Sequence, residues 1–209
     1  MEKSNRKENN KKRVIEAALK LFIKNGIENT KVTDIASASK LTERSVFRYF
    51  ETKSDLVLSA ALLFWNNAVL KINTEINKDK YEKMNGIKKV RAILNLYTGL
   101  FFSSKEELIF TIEAETYLNR CGKISLLENK PPIDFYKSND PLAVAIKEGI
   151  SDGSVKSIDN IELVYLNTYD CMLGLMQKMV LDKKSSETDI YKVRLELFID
   201  SLMGIFESI

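Results

Sequence analysis

The chain has 209 residues, 44% hydrophobic and 29% charged, enough for one larger helical unit or a small domain joined to a larger one. It contains no histidine, which excludes Ser-His and Cys-His nucleophile pairs, HExxH zinc sites and di-iron sites built on Glu-x-x-His. The net charge of +3 is uneven: residues 1–53 carry 13 Lys or Arg against 7 Asp or Glu, and residues 54–209 carry 19 against 22. That asymmetry suits a nucleic-acid-binding N-terminal part joined to a part with another task.

The first dozen residues, with Lys3, Arg6, Lys7, Lys11 and Lys12, lack apolar spacing. They predict a disordered arm that follows the DNA backbone or enters a minor groove. Helix one is expected from about Asn10 to Asn25, with Val14, Ala17, Ala18, Leu21 and Phe22 on its buried face and Gly26 as its stop. Thr30 is then placed as an N-cap, followed at helical spacing by Val32, Ile35 and Ala36 in a short helix ending near Ala38. Leu41 plugs the turn. Thr42 caps a second short helix, in which Val46 and Phe50 face inward. Thr52-Lys53-Ser54-Asp55 opens a long helix with a capping-box pattern, Asp standing where Glu or Gln is usual.

Two short helices joined by a tight turn, the second polar and basic, suit the placing of side chains in the major groove. Base contacts come mainly from the N-terminal part of the second helix, which selects Glu43, Arg44 and Phe47. Arg44 suits a guanine, Glu43 the N4 amine of cytosine, and Phe47 a thymine methyl. Thr30, Thr33, Thr42, Ser45, Arg48, Tyr49 and Lys53 complete the candidate DNA-binding set, chiefly as phosphate contacts that position without reading sequence.

These residues resemble the DNA-binding domain of the TetR/AcrR family of bacterial transcriptional regulators. The resemblance runs from Arg13 to Leu56: the amphipathic first helix ending in Asn25-Gly26, then Thr30, Asp34-Ile35-Ala36, Val46-Phe47-Arg48-Tyr49-Phe50, Lys53 and Leu56. It implies an all-α fold, with a three-helix DNA-binding domain and a larger C-terminal helical domain for ligand binding and dimerisation. It also implies a homodimer that reads a palindromic operator in double-stranded DNA and releases it when a small ligand binds. The chain departs from the family pattern twice. Ser39-Lys40-Leu41 fills a turn that usually holds Gly, so a positive φ at Lys40 would carry a steric cost. Arg44 stands where the recognition helix often has Gly, so operator preference does not transfer from relatives.

Residues 1–53 are thus read as arm and helix-turn-helix, and 54–209 as the effector-binding and dimerisation domain. A helix from Lys53 to about Asn77 links the two. Further helices fit Met84 to Phe102, Lys105 to Arg120, Leu142 to Ile150, Asn160 to Leu181 and Thr188 to Glu207, with Gly122 to Asp140 as a loop or short-turn segment. The last two helices are apolar on more than one side, which predicts a dimer interface across them, Gly174 and Gly204 allowing close approach. A pocket is expected among the intervening helices, walled by Trp65, Tyr97, Phe101, Phe110 and Tyr117, with Glu113, Asn167 and Asp170 to orient a ligand.

Cys121 and Cys171 are isolated, which argues against a disulfide framework or zinc site. No apolar leader opens the chain and no apolar run approaches a membrane span, so a soluble cytoplasmic protein without cofactor or metal is expected. The favoured reading is a non-enzymatic repressor released by a small hydrophobic or amphipathic effector. The alternative is a DNA-binding architectural or protein-interaction factor that uses the same helix-turn-helix without a ligand.

Overall fold

The structure, a computed structural model, describes residues 2–76, 79–103, 105–128, 135–182 and 188–207. The fold is all-α, and eleven helices run through the described residues. They are α1 (Glu2–Asn25), α2 (Val32–Ala38), α3 (Glu43–Phe47), α4 (Lys53–Ile76), α5 (Asp79–Glu82), α6 (Gly86–Ser103), α7 (Lys105–Arg120), α8 (Ser125–Glu128), α9 (Pro141–Asp152), α10 (Ile161–Val180) and α11 (Thr188–Phe206).

By packing, the chain divides into two compact units, residues 1–67 with 106–129, and residues 68–105 with 130–209. This division falls differently from one drawn by function at residue 53. The physical reason lies in the first unit's core. Val14, Ala18 and Phe22 of α1, Ile35 and Ala36 of α2, Val46 of α3 and Leu56, Val57, Ala60 and Phe64 of α4 form an apolar cluster that also takes in Phe110, Ala114 and Leu118 of α7. α7 completes the core that α1, α2, α3 and the start of α4 form. Phe110 stacks on Phe22 with centroids 6.3 Å apart and meets Phe64 edge-on at 6.3 Å.

The expected disordered arm is not what the structure holds: α1 is helical from Glu2. No Gly or Pro interrupts residues 2–25, and Lys, Arg and Glu are good helix formers, so nothing local ends the helix before Gly26 at φ +80°. α4 is long and apolar enough by length and composition to cross a membrane. In the first unit, however, Leu56, Val57, Ala60, Ala61 and Phe64 of that helix are buried in the protein core.

In the second unit α9 packs on α6 at a glycine crossing. A Cβ on Gly86 would fall 2.0 Å from the Cα of Gly149, so neither position has room for a side chain. The contact also caps helices. Asp152, the last residue of α9, and Ser154, just past it, accept the Gly86 and Ile87 amides at 2.7 and 3.0 Å, satisfying N–H groups that a helix start leaves free. At its own start α9 is capped by Asp140, which accepts from Leu142 and Ala143, with Pro141 in the first turn.

α10 buries a single stripe of Ile161, Tyr165, Thr168, Met172, Met176 and Met179. α11 buries Tyr191, Leu195, Ile199, Leu202, Met203 and Phe206. The second apolar face of each helix is uncovered. Leu163, Leu181, Ile190, Val193 and Leu197 are all more than half exposed, and a Cβ on Gly174 or Gly204 would meet nothing within 4 Å. Of the segment expected as a loop from Gly122 to Asp140, residues 125–128 form α8, while 129–134, with Pro131 and Pro132, lie outside the described residues.

Candidate nucleic-acid interface

The helix-turn-helix is held by local chemistry that its residue types dictate. α2 ends in paired backbone bonds: the Leu41 amide donates to the Ala36 carbonyl at 2.9 Å and the Lys40 amide to the Ser37 carbonyl at 3.0 Å. That is a Schellman stop, whose C′ residue must be left-handed. Lys40 occupies it at φ +55°, a conformation that costs a residue with a Cβ energy that glycine avoids. Arg13 of α1 clamps the same turn, its guanidinium donating to the Ser39 carbonyl at 2.6 Å.

Thr42 then caps α3 as its type and position require, its hydroxyl accepting from the Ser45 amide at 3.2 Å. Val46 is fully buried and Phe50, just past the helix, is 4% exposed, so these two anchors fix which face of α3 is left to solvent. On that face stand Glu43, Arg44 and Arg48, all exposed, and Phe47, whose ring is 43% exposed. An exposed aromatic among cations is costly for a free surface and useful for meeting a base edge. Thr33 and Thr42 are exposed and Ser45 half-buried.

Tyr49 is half-buried at the end of this helix. Its hydroxyl accepts from Arg48 at 3.4 Å and from Asn10 of α1 at 3.5 Å. The hydrogen bond from Arg48, then that from Asn10, pull its pKa below the usual phenol value, with Arg48 and Lys7 adding positive charge nearby. An acidified hydroxyl among cations is a strong donor to a phosphate oxygen.

Two of the expected contacts are placed otherwise. Thr30 does not cap α2; Lys31 holds the N-cap position and Asp34 accepts its amide at 3.3 Å. The Thr30 side chain is fully buried, its hydroxyl donating to the Gly26 carbonyl at 2.8 Å, so it faces the core rather than a phosphate. The reason is the tight turn after Gly26, which brings residue 30 back over the end of α1. Lys53 is half-buried, its ammonium donating to the Glu28 carbonyl at 3.4 Å and lying 5.9 Å from the Tyr117 ring centre. The Asp55 capping box forms as expected, with the Thr52 amide donating to Asp55 at 2.9 Å. Lys123 also pairs with Asp55, and that pairing, first among the causes, holds the Asp55 carboxyl below its usual range.

The expected pocket residues are divided between the two units. Trp65, Phe110, Glu113 and Tyr117 belong to the first unit, where Phe110 is part of the core and Trp65 and Tyr117 pack against it. Phe110 is 1% exposed, and Trp65 meets Phe64 edge-on. Glu113 accepts the Ile27 amide at 2.8 Å and so caps the turn after α1. In the second unit Tyr97 is buried, while Asn167 and Asp170 are exposed because they fall off the buried stripe of α10. The Phe101 side chain lies outside the described residues.

Tyr97 belongs to a network that sequence reading missed. Tyr169 donates its one hydroxyl proton to an Asp140 oxygen at 2.5 Å, and the Tyr97 hydroxyl, 2.6 Å from that of Tyr169 and 3.2 Å from the other Asp140 oxygen, shares its own proton between them. Burial, first among the causes, raises the pKa of Tyr97 and of Tyr169, and the Asp140 charge adds to it. Asp140 before Pro141 was a readable helix-cap signal. Its pairing with rings 43 and 29 residues away was not.

Comparison with known proteins places this arrangement. Residues 14–60 match the family model of bacterial regulatory proteins of the tetR family. Solved structures with the same fold include Salmonella enterica GusR, 16% identical over 95% of each chain with a TM-score of 0.67. A second is the transcriptional regulator FadR from Bacillus subtilis in complex with stearoyl-CoA, 18% identical over 94% of this chain and 97% of that one, TM-score 0.64. A TetR-family regulator from Cytophaga hutchinsonii is 17% identical over 98% of each chain, TM-score 0.63. No curated protein matches the chain by sequence. Residues 14–60 are thus a TetR-type helix-turn-helix domain, and the chain as a whole has the fold of TetR-family transcription regulators.

Proposed function

We propose that this chain is a ligand-responsive transcriptional repressor that binds a palindromic operator as a homodimer and is released by a small hydrophobic or amphipathic effector. The observation that carries the reading is the exposed set Glu43, Arg44 and Phe47 on a helix whose cap and buried anchors leave that face to solvent. Arg44 takes the guanine contact and Phe47 the thymine methyl. Thr33, Thr42, Ser45, Arg48 and Tyr49 hold phosphates.

The uncovered apolar face of α10 and α11 supports dimerisation through these helices, since exposed apolar patches of this extent mark interaction surfaces. Two copies related by a two-fold axis then present their α3 helices to half-sites about one helical turn apart. An effector in the second unit acts through α4, which is continuous from Lys53 in the first unit to Ile76 in the second. Bacillus subtilis FadR, of the same fold, is bound to stearoyl-CoA, which supports an effector of apolar character here. The protein works in the cytoplasm, where its operator is.

The experiment is selection of genomic DNA fragments by the purified protein and by Arg44→Ala at one salt concentration. The expected result is one palindromic site for the wild type, with the mutant losing about 1–3 kcal/mol of discrimination at the contacted base. Sequence-blind recovery, equal for both proteins and falling alike with salt, would overturn the reading in favour of an architectural factor.

A further inference from the structure

α1 begins well before the matched domain, and its first turns reach past the core. Its first buried residue is Val14, and residues 5 to 9 are all exposed. At about 1.5 Å per residue, the stretch from Glu2 to Asn10 projects roughly 12 Å. Residues 5–13 carry Arg6, Lys7, Lys11, Lys12 and Arg13 against one acid, Glu8.

Lys11 lies beside the end of the recognition helix, and Lys7 stands one turn before it on the same helix. The Lys11 ammonium is 5.8 Å from the centre of the Phe50 ring. Asn10 donates to the Tyr49 hydroxyl at 3.5 Å, and the charge of Lys7 is felt at the same hydroxyl. Lys7 and Lys11 are four residues apart, so they share one face of α1. Among the described residues neither is paired with a carboxylate, whereas Lys12 has Glu16 at 4.0 Å and Arg13 is committed to the Ser39 carbonyl. Arg48 completes the group from the other side of Tyr49, its guanidinium carbon 5.4 Å from the ring centre. Two lysines, Arg48, a phenol and an amide are thus gathered at the end of the recognition helix.

We infer that Lys7, Asn10 and Lys11 of α1 join Arg48 and Tyr49 in a sequence-independent contact with the DNA phosphate backbone. The inference rests on the DNA-binding reading above and adds to it a second docking element, outside residues 14–60. A flexible arm enters the minor groove as an extended chain. A helix held at its base by Tyr49 and Phe50 instead lies along the phosphates and fixes how far α3 turns into the groove. Its contribution is affinity and register, not choice of sequence.

The test compares wild type, Lys7→Ala with Lys11→Ala, Lys7→Arg with Lys11→Arg, and Arg44→Ala by fluorescence anisotropy. Two duplexes are used over a salt series, the one recovered by genomic selection and one of mixed sequence. Both lysines are exposed helical positions where alanine is well tolerated, and equal thermal midpoints confirm intact folds. The double alanine variant should weaken binding to both duplexes by a similar factor, roughly tenfold at 0.1 M salt, and flatten the slope of log K against log salt by about 1.8. The arginine pair should retain the wild-type slope, and Arg44→Ala should weaken only the selected duplex. If the double alanine variant keeps both slope and affinity while the wild type binds, the inference is wrong and the helix-turn-helix reading stands. If the wild type binds neither duplex, both fall together.

Discussion

Both compact units bury threonine hydroxyls bonded to nearby carbonyls, and only the second adds a buried carboxylate with distant partners. In the first unit the buried polar side chains include Thr30, Ser39 and Thr111, short hydroxyls that donate to carbonyls within nine residues in sequence. Their partners are local, and the core around them is otherwise apolar. The second unit buries a carboxylate, Asp140, and joins it to Tyr97 and Tyr169 on helices far away in sequence. Tyr165 stands beside them, fully buried, and burial, first among the causes, then the Asp140 charge raise its pKa. A unit that must present one rigid face to a fixed lattice of phosphates gains from local, saturated bonds.

The comparison is most strained by removing one buried hydrogen-bonding side chain from each unit. Asp140→Ala takes away the cap of α9 and the acceptor of two phenols, and should cost about 3 kcal/mol in urea unfolding. Thr30→Val, which removes one donor from carbonyls at the end of α1, should cost about 1 kcal/mol. Equal losses would mean that the Asp140 network adds nothing beyond a helix cap.

Alkaline titration sharpens the contrast. Tyr97 and Tyr169 ionise later than a free phenol because burial opposes the charge, and Tyr49 ionises earlier because Arg48 and Asn10 stabilise it. For a group whose folded pKa is raised, the unfolded chain loses its proton first. The contribution of these two phenols to stability is therefore constant below about pH 10 and falls above it, by up to about 1.4 kcal/mol per pH unit for each. Tyr49 has the opposite sign, favouring the folded state as its depressed pKa is passed. Phenolate absorbance should lose its earliest step in Tyr49→Phe and a late step in Tyr97→Phe. The reverse order would show that the Tyr97 network is open to water.

The smallest effect is a gain. Lys40→Gly relieves the left-handed C′ position of α2 and should stabilise the first unit by about 1 kcal/mol. Unchanged or lowered stability in denaturant unfolding would mean that the lysine stem makes up the cost by packing.

The helix-turn-helix was legible because its signals are local. Thr42, Gly26 and the Thr52–Asp55 box act within four residues of themselves, and Val46 with Phe50 follows helical spacing. The same logic misled at Thr30, a good cap by type that the turn folds inward. It misled again at the N-terminus, where polar composition was taken for disorder although nothing in it breaks a helix. For the pocket residues the signal is ambiguous. An aromatic at helical spacing reads the same whether it lines a cavity or fills a core, and Phe110 fills one.

By itself, then, the sequence determined the longer helices apart from the start of α1, the Thr42 cap, the Gly26 stop and the Thr52–Asp55 box, the face of α3 turned to solvent and the apolar second faces of α10 and α11. These depend on interactions a few residues long, which composition and spacing encode directly. Only the tertiary structure decided that α7 completes the core of the first unit, that Glu113 caps the turn after α1, that Gly86 meets Gly149, and that Asp140 gathers Tyr97 and Tyr169. Each of these joins residues tens of positions apart. Which apolar or polar groups meet is then set by how whole helices exclude water together, a competition that no short stretch of chain contains.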